Sequence, residues 1–210
     1  MKAESRVTDV YIAKIPTNLE IKRLSSDERN IYIDKTGNTA AKREKYFAWR
    51  LLEYALRKSL GIEISDLKFE KTESGRWEAE GVDFSISHTD SAVAVAVSDL
   101  SVGVDIEAIK KPRSERFAKR LLSEDELSVY EAIEEDKKDE FLLGKWTARE
   151  ACFKSRHLSY FHPTEPIDST YNIVTDTVLL SGKTYVYSVS SGAGTGVRVF
   201  LDIKAEDIII

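Results

Sequence analysis

Asp105 and Glu107 stand two residues apart in Gly103-Val104-Asp105-Ile106-Glu107, an alternating apolar segment. As a strand it points both carboxylates to one face and Val104 and Ile106 to the other. A second charged group lies in Trp146-Thr147-Ala148-Arg149-Glu150-Ala151-Cys152-Phe153-Lys154, where Glu150 and Lys154 are four apart and share one face of a helix. Three carboxylates and a lysine suit a Mg²⁺ ion set against phosphate oxygens, with Mn²⁺ as the alternative hard cation. A plainer reading stands beside each. Two acids at the end of a buried strand are often a solvated edge. Glu150 with Lys154 also makes the common i,i+4 ion pair, worth about 0.2–0.5 kcal/mol. Against the first, two like charges so close on one face usually need a cation to offset their repulsion. Against the second, Trp146, Ala151 and Phe153 point to a helix packed on the rest of the protein, which leaves Glu150 only partly exposed.

Upstream, Phe84-Ser85-Ile86-Ser87-His88-Thr89-Asp90 places an imidazole between two hydroxyls at the end of an expected strand. Such a cluster can hold a phosphate through charge-assisted hydrogen bonds, although a lone histidine is most often structural. That ordinary reading is kept for His157 and His162. Three basic groups offer local pockets: Lys42, Arg43 and Lys45; Arg76; and Lys110, Lys111 and Arg113. A charge run on a helix is usually a solvated face, and Arg76 after Gly75 reads equally as an exposed loop residue. Cys152 has no base at a matched spacing and reads as a small buried apolar residue.

The elements that must position these groups follow from periodicity. Val7 to Ile15 is an opening strand, and Ser25 to Arg29 a capped helix start. A long amphipathic helix spans Ala40 to Ser59, with Phe47, Leu51, Tyr54, Ala55 and Lys58 at helical spacing and Gly61 as its stop. Leu67 to Lys71 and Arg76 to Ala79 are short strands. Ala92 to Ser98 and Val102 to Ile106 are stronger ones, joined by Asp99-Leu100-Ser101. Helices follow over Glu115 to Leu122, from a capping box at Ser123 to Glu126, and over Asp139 to Ser155. Thr170 to Ile203 is mostly strand, with Ser190 to Gly196 as a hairpin turn.

The 210 residues can bury a sizeable core as one or two domains. Hydrophobic content of 42% and charged content of 32% are those of a soluble globular protein. No apolar run approaches the roughly 20 residues that span a bilayer, and the N-terminus lacks a signal core. A lone cysteine rules out an intrachain disulfide and points to the cytoplasm. A net charge of −5 argues against broad nucleic-acid binding. The expectation is therefore a soluble protein with no membrane and no nucleic acid as partner.

Taken in order, Ser87-His88-Thr89, then Gly103 to Glu107, then Trp146 to Lys154 resemble the motifs of the 4′-phosphopantetheinyl transferases. The likeness runs from about Lys42 to Lys154, and the chain length resembles the long, Sfp type of that family. The clearest departure is Arg149, where the family usually has lysine before the glutamate; charge is kept, but the two side chains are not interchangeable. The resemblance implies an α+β fold of two similar halves, 1–101 and 102–210. These form a pseudo-dimer, each half a long helix on a small antiparallel sheet, with the active site at their interface. It implies a monomer that transfers the 4′-phosphopantetheine arm of coenzyme A to a serine of an apo acyl or peptidyl carrier protein, with Mg²⁺. On these positions Asp105, Glu107 and Glu150 would hold the metal. Glu150, Lys154, Asp105 and His88 would act in catalysis. Arg43, Arg76, Ser87, His88 and Lys154 would bind coenzyme A, and Arg116, Phe117, Lys119, Arg120 and Leu121 would meet the carrier. The competing readings are a metal-dependent coenzyme A pyrophosphohydrolase and a non-catalytic coenzyme A-binding module.

Overall fold

Alternating Ala-Val-Ala-Val-Ala-Val is the most telling run in the fold, because it packs on both faces. In a computed structural model, residues 7–73, 75–89, 91–110 and 115–209 are described. The chain forms β1 (Val7–Lys14), α1 (Asp27–Asp34), α2 (Thr39–Leu60), β2 (Phe69–Lys71), β3 (Trp77–Ala79), β4 (Asp83–Thr89), β5 (Ala92–Ser98) and β6 (Val102–Ala108). It continues with α3 (Glu115–Leu121), α4 (Glu124–Ala132), α5 (Lys138–Ser155), β7 (Tyr171–Leu180), β8 (Lys183–Gly192), β9 (Gly196–Phe200) and α6 (Ala205–Ile208). One sheet has the order β4-β5-β1-β9, a second β6-β8-β7, and β2 pairs with β3. The fold is mixed α and β.

On β5, Val93, Val95 and Val97 join the core under α2, where Phe47, Leu51, Leu52 and Ala55 are fully buried. Ala92, Ala94 and Ala96 face the other way, onto Val102, Val104, Ile106 and Val189 of the second sheet. Valines fill the wider gap to the helix, and alanines let the two sheets approach closely. A third cluster of Ala118, Leu121, Tyr130 and Leu142 seats α3 and α4 on α5.

Helix ends follow their chemistry. Asn38 Oδ1 accepts from the Ala41 amide at the start of α2 (2.8 Å), and Gly61 ends it in the left-handed conformation at φ 65°. Ser123 and Glu126 form the expected capping box on α4.

The C-terminal third departs from expectation. Ser190, Ser191 and Gly192 belong to β8, and the hairpin lies earlier, at Ser181-Gly182 between β7 and β8. Both turn residues have positive φ (48° and 80°), as a tight primed turn requires. After Thr195 the chain leaves the second sheet, and β9 pairs in parallel with β1 on the first. Arg198 fixes that pairing with two hydrogen bonds to the buried Asp9 carboxylate, at 2.7 and 2.8 Å. Among the described residues no helix is long and apolar enough to cross a membrane.

Candidate active site

The site is built where β4 and β6 run side by side in the same direction without sharing a backbone ladder. β6 pairs with β8 on its other edge, so the outward amides of Val102, Val104 and Ile106 need acceptors. Side chains on one face of β4 supply them: Asp83 Oδ2 to Val102 (2.9 Å), Ser85 Oγ to Val104 (3.0 Å) and Ser87 Oγ to Ile106 (3.3 Å). The i, i+2, i+4 spacing on each strand makes this a side-chain ladder between the two sheets. Ser87 also donates to Asp105 Oδ1 (2.8 Å), and Thr89 Oγ1 donates to Glu107 (3.3 Å). The hydroxyls flanking His88 therefore orient the acids of β6. His88 itself is the next-to-last residue of β4, at the strand end where its motif places it.

Gly103 brings α5 onto β6. A β-carbon there would lie 1.9 Å from the Ala151 carbonyl oxygen and 2.7 Å from the Ser155 amide nitrogen, so only hydrogen fits. Thr147 and Ser155, on the same face of α5 as Ala151, bond Ser188 and Ser190 of β8, each at 2.7 Å. That close seat carries Lys154 to Asp105. Its ammonium donates to Asp105 Oδ1 (2.7 Å) and to the Val104 carbonyl (3.1 Å). Glu150, one turn back, is half-buried. Burial pushes its carboxyl pKa up; Lys154 draws it down, and the charges of Asp105 and Glu107 add to the rise.

Asp105 is 6% exposed, and its Oδ2 is buried without a hydrogen-bond partner. An unpartnered buried carboxylate oxygen, with the charges of Asp105 and Glu107 both felt at Glu150, suits a hard divalent cation in charge and donor type. The three groups are not gathered into a ready-made cluster, however. Among the described residues no three ligand-type side chains are disposed to hold a metal ion, and the Lys154 ammonium is what neutralises Asp105.

Beside Lys154 opens a cavity of about 280 Å³ between α2, β3, β4 and the end of α5. Tyr32, Trp49 and Trp77 give it aromatic walls, and Lys45, His88 and Lys154 bring positive or protonatable groups. Lys45 Nζ lies 4.0 Å from the Tyr32 ring centroid and bonds Thr36 Oγ1 (2.8 Å). His88 Nδ1 meets Glu44 at 3.2 Å. Burial lowers the pKa of this imidazole, Glu44 works against that, and Lys154 and Lys45 lower it further. The donor-rich, aromatic lining can take an anionic ligand with a flat ring.

Several expected residues stand differently from their sequence reading. Of the basic group that opens α2, Lys45 lines the cavity and Arg43 does not. Arg76 lines it but is no free loop residue. It is 15% exposed, and three of its donors go to the Lys154 carbonyl (2.8 Å), Asp83 Oδ1 (2.7 Å) and the Phe84 carbonyl (2.9 Å). Arg149 turns away from Glu150 and binds Glu126 of the α4 capping box (2.7 Å) and the Glu165 carbonyl (3.3 Å). On α3, Arg116, Lys119 and Arg120 are exposed. Leu121, expected at that surface, is 1% exposed and belongs to the core, because it is on the face turned to α5. Lys111 and Arg113 lie outside the described residues. His157 is structural, as a lone histidine usually is: its ring meets Glu78 and Asp83, each at 3.0 Å, partners that no local pattern identifies.

A family model described as the 4′-phosphopantetheinyl transferase superfamily matches residues 101–185, which hold Asp105, Glu107, Glu150 and Lys154. The chain is 31% identical over 90 residues to the holo-[acyl-carrier-protein] synthase of Listeria monocytogenes serotype 4b (strain CLIP80459), covering 33% of this chain and 76% of that relative. It therefore belongs to the 4′-phosphopantetheinyl transferase superfamily. It is 45% identical over 58 residues to the holo-[acyl-carrier-protein] synthase of Streptococcus sanguinis (strain SK36), covering 25% of this chain and 48% of the relative. To the 4′-phosphopantetheinyl transferase Sfp of Bacillus subtilis (strain 168) it is 28% identical over 107 residues, covering 50% and 47%. The similar proteins thus carry both holo-synthase and Sfp names. The chain spans about half the length of the first curated relatives it matches, 48%, 43% and 49%.

Proposed function

We propose that this chain transfers the 4′-phosphopantetheine arm of coenzyme A to a serine hydroxyl of an apo acyl or peptidyl carrier protein. The observation that carries the reading is the Lys154–Asp105 contact at 2.7 Å, set between the half-buried Glu150 and a cavity with cationic and aromatic walls. In the cavity, Lys45, His88 and Lys154 bind the phosphates, with the aromatic rings beside the base. Arg76 adds its charge from the wall, while most of its hydrogen bonds serve the fold. Arg43, two residues before Lys45 on α2, contributes field from outside the lining.

Transfer requires the serine oxygen to attack the phosphorus that bears the pantetheine arm. The bond from that phosphorus to the bridging oxygen breaks, and adenosine 3′,5′-bisphosphate leaves with the electron pair. Glu150 takes the serine proton, and its raised pKa makes it a stronger base than an exposed carboxylate. Lys154 moves from Asp105 toward the phosphates and offsets charge as the bond breaks. Asp105, Glu107 and Glu150 would hold Mg²⁺, or Mn²⁺, which supplies further positive charge to the pyrophosphate when bound. Ser87 keeps Asp105 oriented by its 2.8 Å hydrogen bond.

The carrier docks on α3. Exposed Arg116, Lys119 and Arg120 offer positive charge to an acidic helix, and Phe117 packs on Trp146 at 5.8 Å beside them. Two helix-on-sheet halves, 1–101 and 102–210, acting as a monomeric pseudo-dimer of the Sfp type fit this arrangement, with β9 as the strand the second half returns to the first. A single buried thiol, Cys152, suits a reducing cytoplasm. The test is product analysis with coenzyme A and Mg²⁺, with and without an apo carrier. Adenosine 3′,5′-bisphosphate that forms only when the carrier serine is present supports transfer. Free phosphopantetheine formed without a carrier marks a hydrolase, and coenzyme A binding without turnover marks a binding module.

A further inference from the structure

Asp83, His157 and Arg76 meet where the first sheet touches the end of α5. We propose that Asp83 and His157 are positioning residues that clamp the C-terminal end of α5 and thereby set Lys154. The inference rests on the reading of Lys154 as a phosphate-binding group.

Asp83 accepts from three donors and meets the His157 ring besides. Oδ1 takes Arg76 Nη2 (2.7 Å) and the Phe84 amide (3.0 Å); Oδ2 takes the Val102 amide (2.9 Å) and contacts His157 Nε2 at 3.0 Å. The other ring nitrogen of His157 lies 3.0 Å from Glu78 Oε1 on β3. The Lys154 carbonyl is gripped from both sides of this network, by the His157 amide (3.2 Å) and by Arg76 Nη1 (2.8 Å). A guanidinium on the last carbonyls of a helix also suits the negative end of its dipole. The same lysine whose side chain reaches Asp105 thus has its backbone held by Arg76 and His157.

The backbone of His157 carries a second, independent sign. Its φ of 52° is in the left-handed region, where a glycine sits freely at a helix end and a β-carbon is disfavoured. A histidine there is accounted for by what its ring holds. Two carboxylates from β3 and β4 lie against the ring, with Arg76 between them, so the end of α5 is tied to the sheet that forms the cavity floor.

His157→Gly separates positioning from folding, because it relieves the backbone and removes only the ring. Asp83→Asn is the second variant; its amide cannot accept on both sides. Two readouts are taken: kcat and KM for coenzyme A with an apo carrier, and hydrogen exchange of the amides from Lys154 to Leu158 in the protein alone. The expected result for His157→Gly is a kcat lower by about ten-fold or more, a KM within about two-fold and a melting temperature near that of the parent, with faster exchange at the end of α5. Asp83→Asn should lower kcat and speed the same exchange, with a lower melting temperature as well, because this carboxylate also satisfies the Val102 amide. A His157→Gly protein with parental kcat and unchanged exchange overturns the clamp. Should the parent modify no carrier, the transferase reading fails on its own. Exchange then decides the clamp alone: faster amides sustain it, unchanged amides end it.

Discussion

The carbonyl oxygen of Ala151 occupies the space a β-carbon on Gly103 would need, at 1.9 Å, so α5 rests directly on the backbone of β6. This contact sets how far Lys154 stands from Asp105. Gly103→Ala must push the helix out or bend the strand, since the obstacle is backbone. We expect a loss of about 2–4 kcal/mol in stability, measured by urea unfolding, and a fall in turnover larger than the unfolded fraction explains.

Glu150 trades stability for chemistry. Its folded pKa lies above the ordinary value, so the ionised carboxylate opposes folding at neutral pH, and the penalty grows as pH rises through that range. Glu150→Gln should therefore melt at the same temperature or slightly higher than the parent when no metal is added, yet lose about 100-fold or more in kcat. Parallel melting and steady-state assays check both halves of this expectation.

Glu126 behaves in the opposite sense. Burial alone would raise its pKa, but hydrogen bonds from Arg149, the Ser123 amide and Lys145 overcome this and lower it from 4.5 to about 2. A depressed carboxylate stabilises the fold above its unfolded pKa, and that contribution fades as pH falls from about 4.5 toward 2. Glu126→Gln should cost on the order of 1–2 kcal/mol at pH 7, and the gap in melting temperature from the parent should close toward pH 3. Arg149→Lys should lose part of the same gap, because a single ammonium cannot reach both Glu126 and the Glu165 carbonyl.

The pattern of legibility in the sequence follows the range of the interactions. Asp105, Glu107, Glu150 and Lys154 could be placed on faces because alternation and i,i+4 spacing are local. The partners of Arg76 could not: one is the carbonyl of Lys154, 78 positions away. Ser87 reads locally as a phosphate-binding hydroxyl, and nothing near it in sequence shows that a strand 18 residues on also uses that hydroxyl. The return of β9 to β1 joins Val7 to Gly196 and leaves no periodic trace, so the turn after Gly192 reads as a hairpin although the strand beyond it pairs on the other sheet. Leu121 and Arg116 share one short helix, and only packing on α5 tells the buried side from the exposed one.

The exposed face of α3 gives a charge test. Arg116→Glu with Arg120→Glu should raise the KM for an acidic carrier about ten-fold or more and leave the KM for coenzyme A and the melting temperature unchanged. The carrier effect should shrink as salt is added, since exposed charges are screened. Steady-state kinetics over a salt series reads both.

The central claim is tested most directly by intact-mass spectrometry of an apo carrier protein incubated with this protein, coenzyme A and Mg²⁺, beside an Asp105→Asn variant. A transferase adds about 340 Da to the carrier, the mass of the phosphopantetheine arm, with the parent protein and little or none with the variant. A carrier of unchanged mass across acyl and peptidyl types, or an equal gain with Asp105→Asn, would contradict that claim.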